Sequence, residues 1–294
     1  MLCDKMAQIS KENPGIMTLE RLSKDGPFIR GTKNGIIYTI AASNEAHGSA
    51  LPSNIDEKIA IATAFSASKQ TGFTYRGHIP YSTDYSDVAK YWNPDYIPQV
   101  QFVDKVLQYI SEDLNKLKSG SNIRASSIAL IGGHGGNDQI LNSESLEIEK
   151  RLGIPFIYLP PFPEATQWTH PKYGKIFVSH ADLGEHSIAL YLEQLDVGKL
   201  AGLNKNAAVN PRATLLENPP LVSLTGFVLP ESGPIFEPFR EMRKKRYPAT
   251  DGIPPVGVEF MEKRVIIADY KVGRDLVELN NEVAVKAIKE LARK

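Results

Sequence analysis

Cysteine is almost missing from this chain of 294 residues, where Cys3 stands alone. An internal disulfide framework and a thiolate metal cluster are both excluded, and a reducing compartment is the expected home. Long hydrophobic runs are missing as well. Ile59 to Phe65, interrupted by Thr63, is among the longest, far short of the ~20 residues that span a bilayer. Met1 to Asn13 is polar and has no apolar stretch of signal-peptide length, so a soluble cytoplasmic protein with no membrane partner is expected. Neither sign of charge is in excess, since Lys+Arg and Asp+Glu number 34 each. A nucleic-acid partner, which asks for a basic surplus, is therefore not expected. The one basic run, Arg240 followed by Arg243, Lys244, Lys245 and Arg246, reads first as a solvated helix face and second as an anion-capturing one. Two common hydrolase signatures, the Gly-x-Ser-x-Gly elbow and the His-Glu-x-x-His helix, do not occur.

What is present is a repeating order of strand, loop and helix. Residues 1–34 read as an extension punctuated by Pro14-Gly15 and Gly26-Pro27. The core domain is expected over 35–294. Ile36 to Ile40 is a β-favouring run of the kind buried on both faces. Asp56 opens a helical stretch to about Gln70, with Gly72 where a terminating glycine belongs. Val100, Phe102, Val103, Val106, Leu107, Ile110 and Leu114 mark a second helix from about Pro98 to Lys118. Ser127 to Ile131 is a second strand, followed by a glycine turn and a helix from near Asn137. Pro155 to Leu159 is a third strand, and Leu276 to Leu291 a closing helix. The expected fold is an α/β three-layer sandwich, a mostly parallel sheet flanked by helices. Pro160 to Gly174, containing Trp168, reads as an ordered excursion or lid, and Pro211 to Pro255 gives no clear assignment.

Three motifs carry chemistry, each at a strand end or a helix start. In Glu45-Ala46-His47, extended backbone would send both side chains to one face, and Asp56 sits at a helix N-terminus beyond them. Glu, His and Asp suit Zn, Mn or Fe(II), although Asp56 also fits a helix N-cap. In Gly132-Gly133-His134-Gly135-Gly136-Asn137 the glycines permit a tight turn and close backbone approach. That motif reads either as a metal site around His134 or as an anion-binding loop, with neither the dinucleotide nor the Walker spacing. In His180-Ala181-Asp182-Leu183-Gly184-Glu185-His186, His180 and Glu185 read as an acid–base pair, as additions to a metal shell, or as ordinary loop residues.

In this order and spacing, the motifs resemble the creatininase (creatinine amidohydrolase) family. The resemblance runs from about Gly35 to the end. It implies that Glu45 and His134 hold one divalent ion, that His47 holds the other, and that Asp56 bridges them. It also implies that His180 passes a proton to the leaving nitrogen and that Glu185 is a supporting acid or a ligand. Three positions depart from the family pattern: Gly136 replaces a ligating Glu, His186 a Thr, and Ala50 a second His. His186 thereby becomes a candidate extra ligand, and creatinine a poor candidate substrate.

His47 to Pro52, Asp56 to Ala60 and Thr83-Asp84-Tyr85 are most similar to the branch of archaeal formylaminopyrimidine-nucleotide deformylases. The resemblance thus implies an amidohydrolase with two divalent ions (Zn, Fe(II) or Mn), a small amide or formamide substrate and a homo-oligomeric state. Two other functions stay open: a family enzyme for a cyclic amide or peptide, and a non-catalytic nucleotide- or anion-binding module.

Overall fold

The computed structural model describes residues 31–32, 34–84, 90, 93–121, 124–163, 168–176, 178 and 180–218, then 237, 241, 244–245, 248–251 and 262–293. Nearly all of the expected N-terminal extension, Cys3, Tyr85, most of the basic run and much of 211–255 lie outside these residues. The described elements are β1 (Gly35–Ile40), α1 (Ile55–Thr71), β2 (Thr74–Ile79), α2 (Gln99–Ser121), β3 (Ser127–Gly132), α3 (Asp138–Leu152) and β4 (Phe156–Leu159). A short hairpin of β5 (Thr169–His170) and β6 (Gly174–Lys175) follows, then α4 (Leu183–Tyr191), α5 (Val197–Val209), α6 (Pro211–Glu217) and α7 (Tyr270–Leu291).

Four strands form a parallel sheet in the order β2-β1-β3-β4. Successive side chains on a strand point to opposite faces, and the core divides accordingly. From β1 and β3, Ile37, Ala129 and Ile131 pack with Ala64 and Phe65 of α1 and Ala284 and Ile288 of α7. Their neighbours Ile36, Tyr38, Ile40, Ile128 and Leu130 pack on the other side, against Phe102, Val106 and Ile110 of α2 and Leu141 and Ile148 of α3. Both faces are covered, which is why β1 and β3 read as nearly continuous apolar runs. The expected three-layer sandwich is the observed one. Each fully buried Ile or Leu contributes about 1.5–3 kcal/mol by leaving water, so the two layers are fixed to the sheet before any polar group is considered.

The strand order places the site. From β1 the chain crosses by α1 to β2 on one side, and from β3 by α3 to β4 on the other. The loops leaving β1 and β3 therefore part company at neighbouring strand ends and open a crevice, the usual ligand position in an open α/β sheet. The first chemical motif follows β1 and the second follows β3.

A third cluster closes that end of the sheet. Leu51, Ile55 and Ile59 pack with Leu183, Ile188 and Leu192 of α4 and with Val272 and Leu276 of α7. Trp168 and Tyr173, on either side of the β5–β6 turn, rest on the same cluster. The excursion predicted over Pro160–Gly174 is thus in part an ordered hairpin. No helix among the described residues is long and apolar enough to cross a membrane.

Candidate metal centre

Glu45 and His47 sit on the loop after β1, Asp56 in the first turn of α1, His134 just past β3, and His180 and Glu185 around the start of α4. The structure brings all six together. Glu45, His47, Asp56, His134 and Glu185 are each less than a tenth exposed, and His180 keeps 17% of its side chain exposed. Asp56 is not the N-cap of its helix. Asn54 occupies that position, which leaves the Asp56 carboxylate to face the histidines. His134 Nδ1 lies 3.0 Å from Asp56 Oδ2 and 2.9 Å from Glu45 Oε2. His47 Nε2 lies 3.2 Å from Asp56 Oδ1 and 3.9 Å from Glu185 Oε2.

Close backbone packing makes this meeting possible. A Cβ on Gly133 would lie 2.1 Å from the Asp56 carbonyl oxygen, so only glycine lets the end of β3 reach the start of α1. On the opposite wall, Asp182 caps α4 by accepting the Glu185 N–H at 3.0 Å. Ala181, just before Asp182, adopts a left-handed conformation with φ 53, rare for a residue with a Cβ. Its N–H donates to Glu185 Oε2 at 2.5 Å, which aims the carboxylate at His47. Such strain collects where the surrounding structure enforces a functional geometry.

Two main-chain carbonyls decide which ring nitrogens face the acids. His47 Nδ1 is 3.0 Å from the Glu45 carbonyl oxygen and His134 Nε2 is 3.2 Å from the Thr83 carbonyl oxygen. A carbonyl only accepts, so both nitrogens carry protons. The other nitrogen of each ring, His47 Nε2 and His134 Nδ1, is turned into the carboxylates. His47 Nε2 is buried and makes no hydrogen bond. A lone pair aimed at carboxylate oxygens is repulsive unless a cation sits between them, and a backbone bond to the far nitrogen is how metal-binding histidines are held.

Electrostatics points the same way. Burial opposes a charge on His47, but Asp56 and Glu185 outweigh it and lift the ring to about 10. Burial likewise opposes a charge on His134, which Glu45 and Asp56 raise well above its ordinary value. Burial would raise Glu45, yet His134 draws it down to about 2. Asp56 is drawn down in the same way, by His47 and His134 against burial. The pocket thus demands positive charge, and two protons on imidazoles are the poorest way to supply it. Glu185 is pushed well up, chiefly by burial, with His47 acting against the rise.

Of three donor groups among the described residues, one that is partly exposed joins Glu45, His47 and His180, and two that are fully buried join Glu45, Asp56 and His134, and His47, Asp56 and Glu185, with the atoms of each group within 4.8 Å of one another. Asp56 belongs to both buried groups. Carboxylates and imidazoles suit Zn, Mn or Fe(II), so the residues fit the divalent ions that the sequence motifs imply. The anion-loop reading of the glycine turn finds no support, because the turn delivers His134 to carboxylates. His186 joins none of these groups. Its Nδ1 is 2.9 Å from the Asp182 carbonyl oxygen, and its buried Nε2 makes no hydrogen bond.

Gly136, where the family pattern has a ligating Glu, has no room for a side chain. A Cβ there would lie 2.3 Å from the Thr83 carbonyl oxygen and 2.5 Å from His134 Nε2. Glu185 supplies the carboxylate beside His47 instead. His180 stacks on His47 with ring centroids 4.0 Å apart. Its Nε2 is 2.9 Å from the Ala46 carbonyl oxygen and its Nδ1 is 3.6 Å from Glu45 Oε1. Burial, and then the charge of His47, lower its pKa to about 4. Sequence reasoning picked out Thr83 only within the Thr83-Asp84-Tyr85 motif and missed its carbonyl, which orients His134; no side-chain pattern signals a carbonyl contact.

No family model matches the chain. It is 30% identical over 125 residues to the 2-amino-5-formylamino-6-ribosylaminopyrimidin-4(3H)-one 5'-monophosphate deformylase of Methanosphaera stadtmanae, a match covering 42% of this chain and 48% of that protein. The chain therefore spans about half the length of that relative. It is 28% identical over 205 residues to the deformylase of the same name from Methanocaldococcus infernus, covering 68% of this chain and 86% of the relative. A mutant creatininase of zinc–zinc type superposes with a TM-score of 0.51 at 16% identity, over 87% of this chain and 90% of its own. A second mutant creatininase gives 0.50 at 17% identity, over 95% and 96%. At such identities the structural likeness speaks for the fold.

Proposed function

We propose that this chain, similar in sequence to the archaeal deformylases and in fold to creatininases, is a divalent-metal-dependent amidohydrolase that cleaves a non-peptide C–N bond. The favoured substrate is a formamide on an aminopyrimidine ribonucleotide, the class named for its relatives. One observation carries the reading: two fully buried donor groups share the Asp56 carboxylate, an arrangement that would hold two ions side by side. Glu45, Asp56 and His134 would hold one ion, and His47, Asp56 and Glu185 the other. Ions held there would supply a lowered pKa for water and Lewis-acid polarisation of a carbonyl, so that attack proceeds near neutral pH.

The protein's own part in the reaction centres on His180. With Nε2 donating to the Ala46 carbonyl, Nδ1 is the basic nitrogen, and it faces the site. A pKa near 4 keeps the ring neutral at pH 7, ready to take a proton from the attacking water. The stacked contact with His47 fixes its plane. Once protonated, the ring returns that proton to the departing amine, which leaves as a neutral group. Among the site residues His180 keeps an exposed edge, the side from which substrate must come.

Gly136 reads against a creatinine site, because the family's ligating Glu cannot be accommodated there. The test is a formate-release assay with a formylaminopyrimidine ribonucleotide, run beside lactams and short peptides. Formate release that stops with chelator and returns with Zn, Mn or Fe(II) is the expected result. Hydrolysis of a lactam or peptide alone would move the substrate elsewhere in the family. Turnover indifferent to thorough metal removal would refute the mechanism.

A further inference from the structure

Resting on that two-ion reading, we propose that Asn137 is a positioning residue for His134, acting through the main-chain carbonyl of Thr83, and that it sets the affinity of one ion position without setting the other. The two ligand histidines are oriented from different distances along the chain. His47 finds its orienting carbonyl two residues back, at Glu45. His134 finds its own at Thr83, 51 residues away in sequence and on the loop after β2. A carbonyl on a loop orients nothing unless the loop is held.

Asn137 holds it. The side chain is fully buried. Its Oδ1 accepts the Thr83 N–H at 2.8 Å, and its Nδ2 donates to the Tyr81 carbonyl oxygen at 3.4 Å. Both ends of the amide are therefore spent on one loop, by a residue three positions past the ligand being oriented. Gly136 serves the same bond by leaving space. A Cβ there would stand 2.3 Å from the Thr83 carbonyl oxygen and 2.5 Å from His134 Nε2, against acceptor and donor alike. Asn137 draws the loop in, and Gly136 keeps the gap open. The resulting bond keeps the proton on Nε2 and turns Nδ1 toward Glu45 and Asp56.

Two measurements test this. In zinc-loaded wild-type protein with 15N-labelled histidine, His134 is expected to be protonated at Nε2 and zinc-bound at Nδ1, with His47 the reverse. His134 bound through Nε2 overturns the proposal, and this reading needs no variant. In competition with a chromophoric chelator, Asn137→Ala and Gly136→Ala should each weaken one of two zinc equivalents by about 10–100-fold and leave the other within about threefold. Equal weakening of both equivalents, or of neither, overturns it. Wild-type protein that takes up no zinc refutes the two-ion reading itself. Two zinc equivalents in the wild type with unchanged variants refute the role of Asn137 alone.

Discussion

With the proposed ion positions stripped, this protein should lose stability in alkali. In the stripped protein His47 carries a proton because Asp56 and Glu185 overcome the cost of burying its charge, moving it from 6.5 to about 10. A group whose folded pKa lies above its unfolded value stabilises fully below the unfolded value, and that stability is lost as pH climbs through the folded one. For His47 the loss runs from pH 6.5 to about 10 and is worth at most about 5 kcal/mol. His134 and Glu185 are also raised and add to the loss in the same direction. On the acid side the signs reverse. Glu45, drawn down to about 2, contributes above 4.5 and loses that contribution as pH falls toward 2. His180 and His186, lowered to about 4, contribute above 6.5 and lose it on the way down to 4. The stripped protein should therefore be most stable near neutrality.

Domains of this kind are stable by only about 5–15 kcal/mol, so even half the alkaline loss is measurable. Ions at the proposed positions would take the same imidazole lone pairs without protons, so they should abolish it. Urea midpoints taken at about pH 6.5, 8 and 9.5, with chelator and with stoichiometric zinc, check this. A stripped protein with a flat midpoint, or a loaded one that loses as much, would refute the electrostatic reading of the site.

His180→Ala should keep both ions and lower kcat by ~10²–10⁴, the usual worth of a positioned acid–base group; unchanged kcat removes His180 from the mechanism. Gly133→Ala places a methyl 2.1 Å from the Asp56 carbonyl, so α1 must shift by about an ångström, and metal-saturated kcat should fall about 100-fold; full activity would show that the close approach is unimportant. Glu185→Gln should weaken one ion position about 10-fold or more while sparing the other, read by chelator competition. Equal weakening of both would make Glu185 a general support and not a ligand.

Much of this was legible in the sequence because burial on both faces leaves a plain signature. Ile36 to Ile40 and Ser127 to Ile131 are largely apolar, broken by Thr39 and Ser127 alone, and both are strands at the centre of the sheet. Gly72 ends α1 in the left-handed conformation its position suggested. β2 gave no such signal. Its residues Thr74, Tyr75, Arg76, Gly77, His78 and Ile79 lie at a sheet edge, where half-exposed polar side chains are tolerated. Pairing with β1 makes it a strand, a tertiary cause that local composition does not encode. The helix α6 likewise falls in a stretch too rich in Pro and Gly to assign. It begins at Pro211, a favourable first helical position, behind an Asn210 cap.

The site itself was recognisable as an ordered set of motifs, and the six expected residues do converge. Ambiguity in the single motifs came from chemistry that serves two purposes. An Asp at a helix start is usually a cap, and only the placement of Asn54 as the cap frees Asp56 for the histidines. The carbonyls of Glu45 and Thr83 were invisible for a different reason, since every residue has one and only the folded backbone aims it.

Anomalous diffraction from metal-soaked crystals tests the shared Asp56 carboxylate most directly. Two peaks are expected, one among Glu45, Asp56 and His134 and the other among His47, Asp56 and Glu185, and both should vanish in Asp56→Ala. A single peak away from Asp56, or two that survive its removal, would contradict the paired-ion centre.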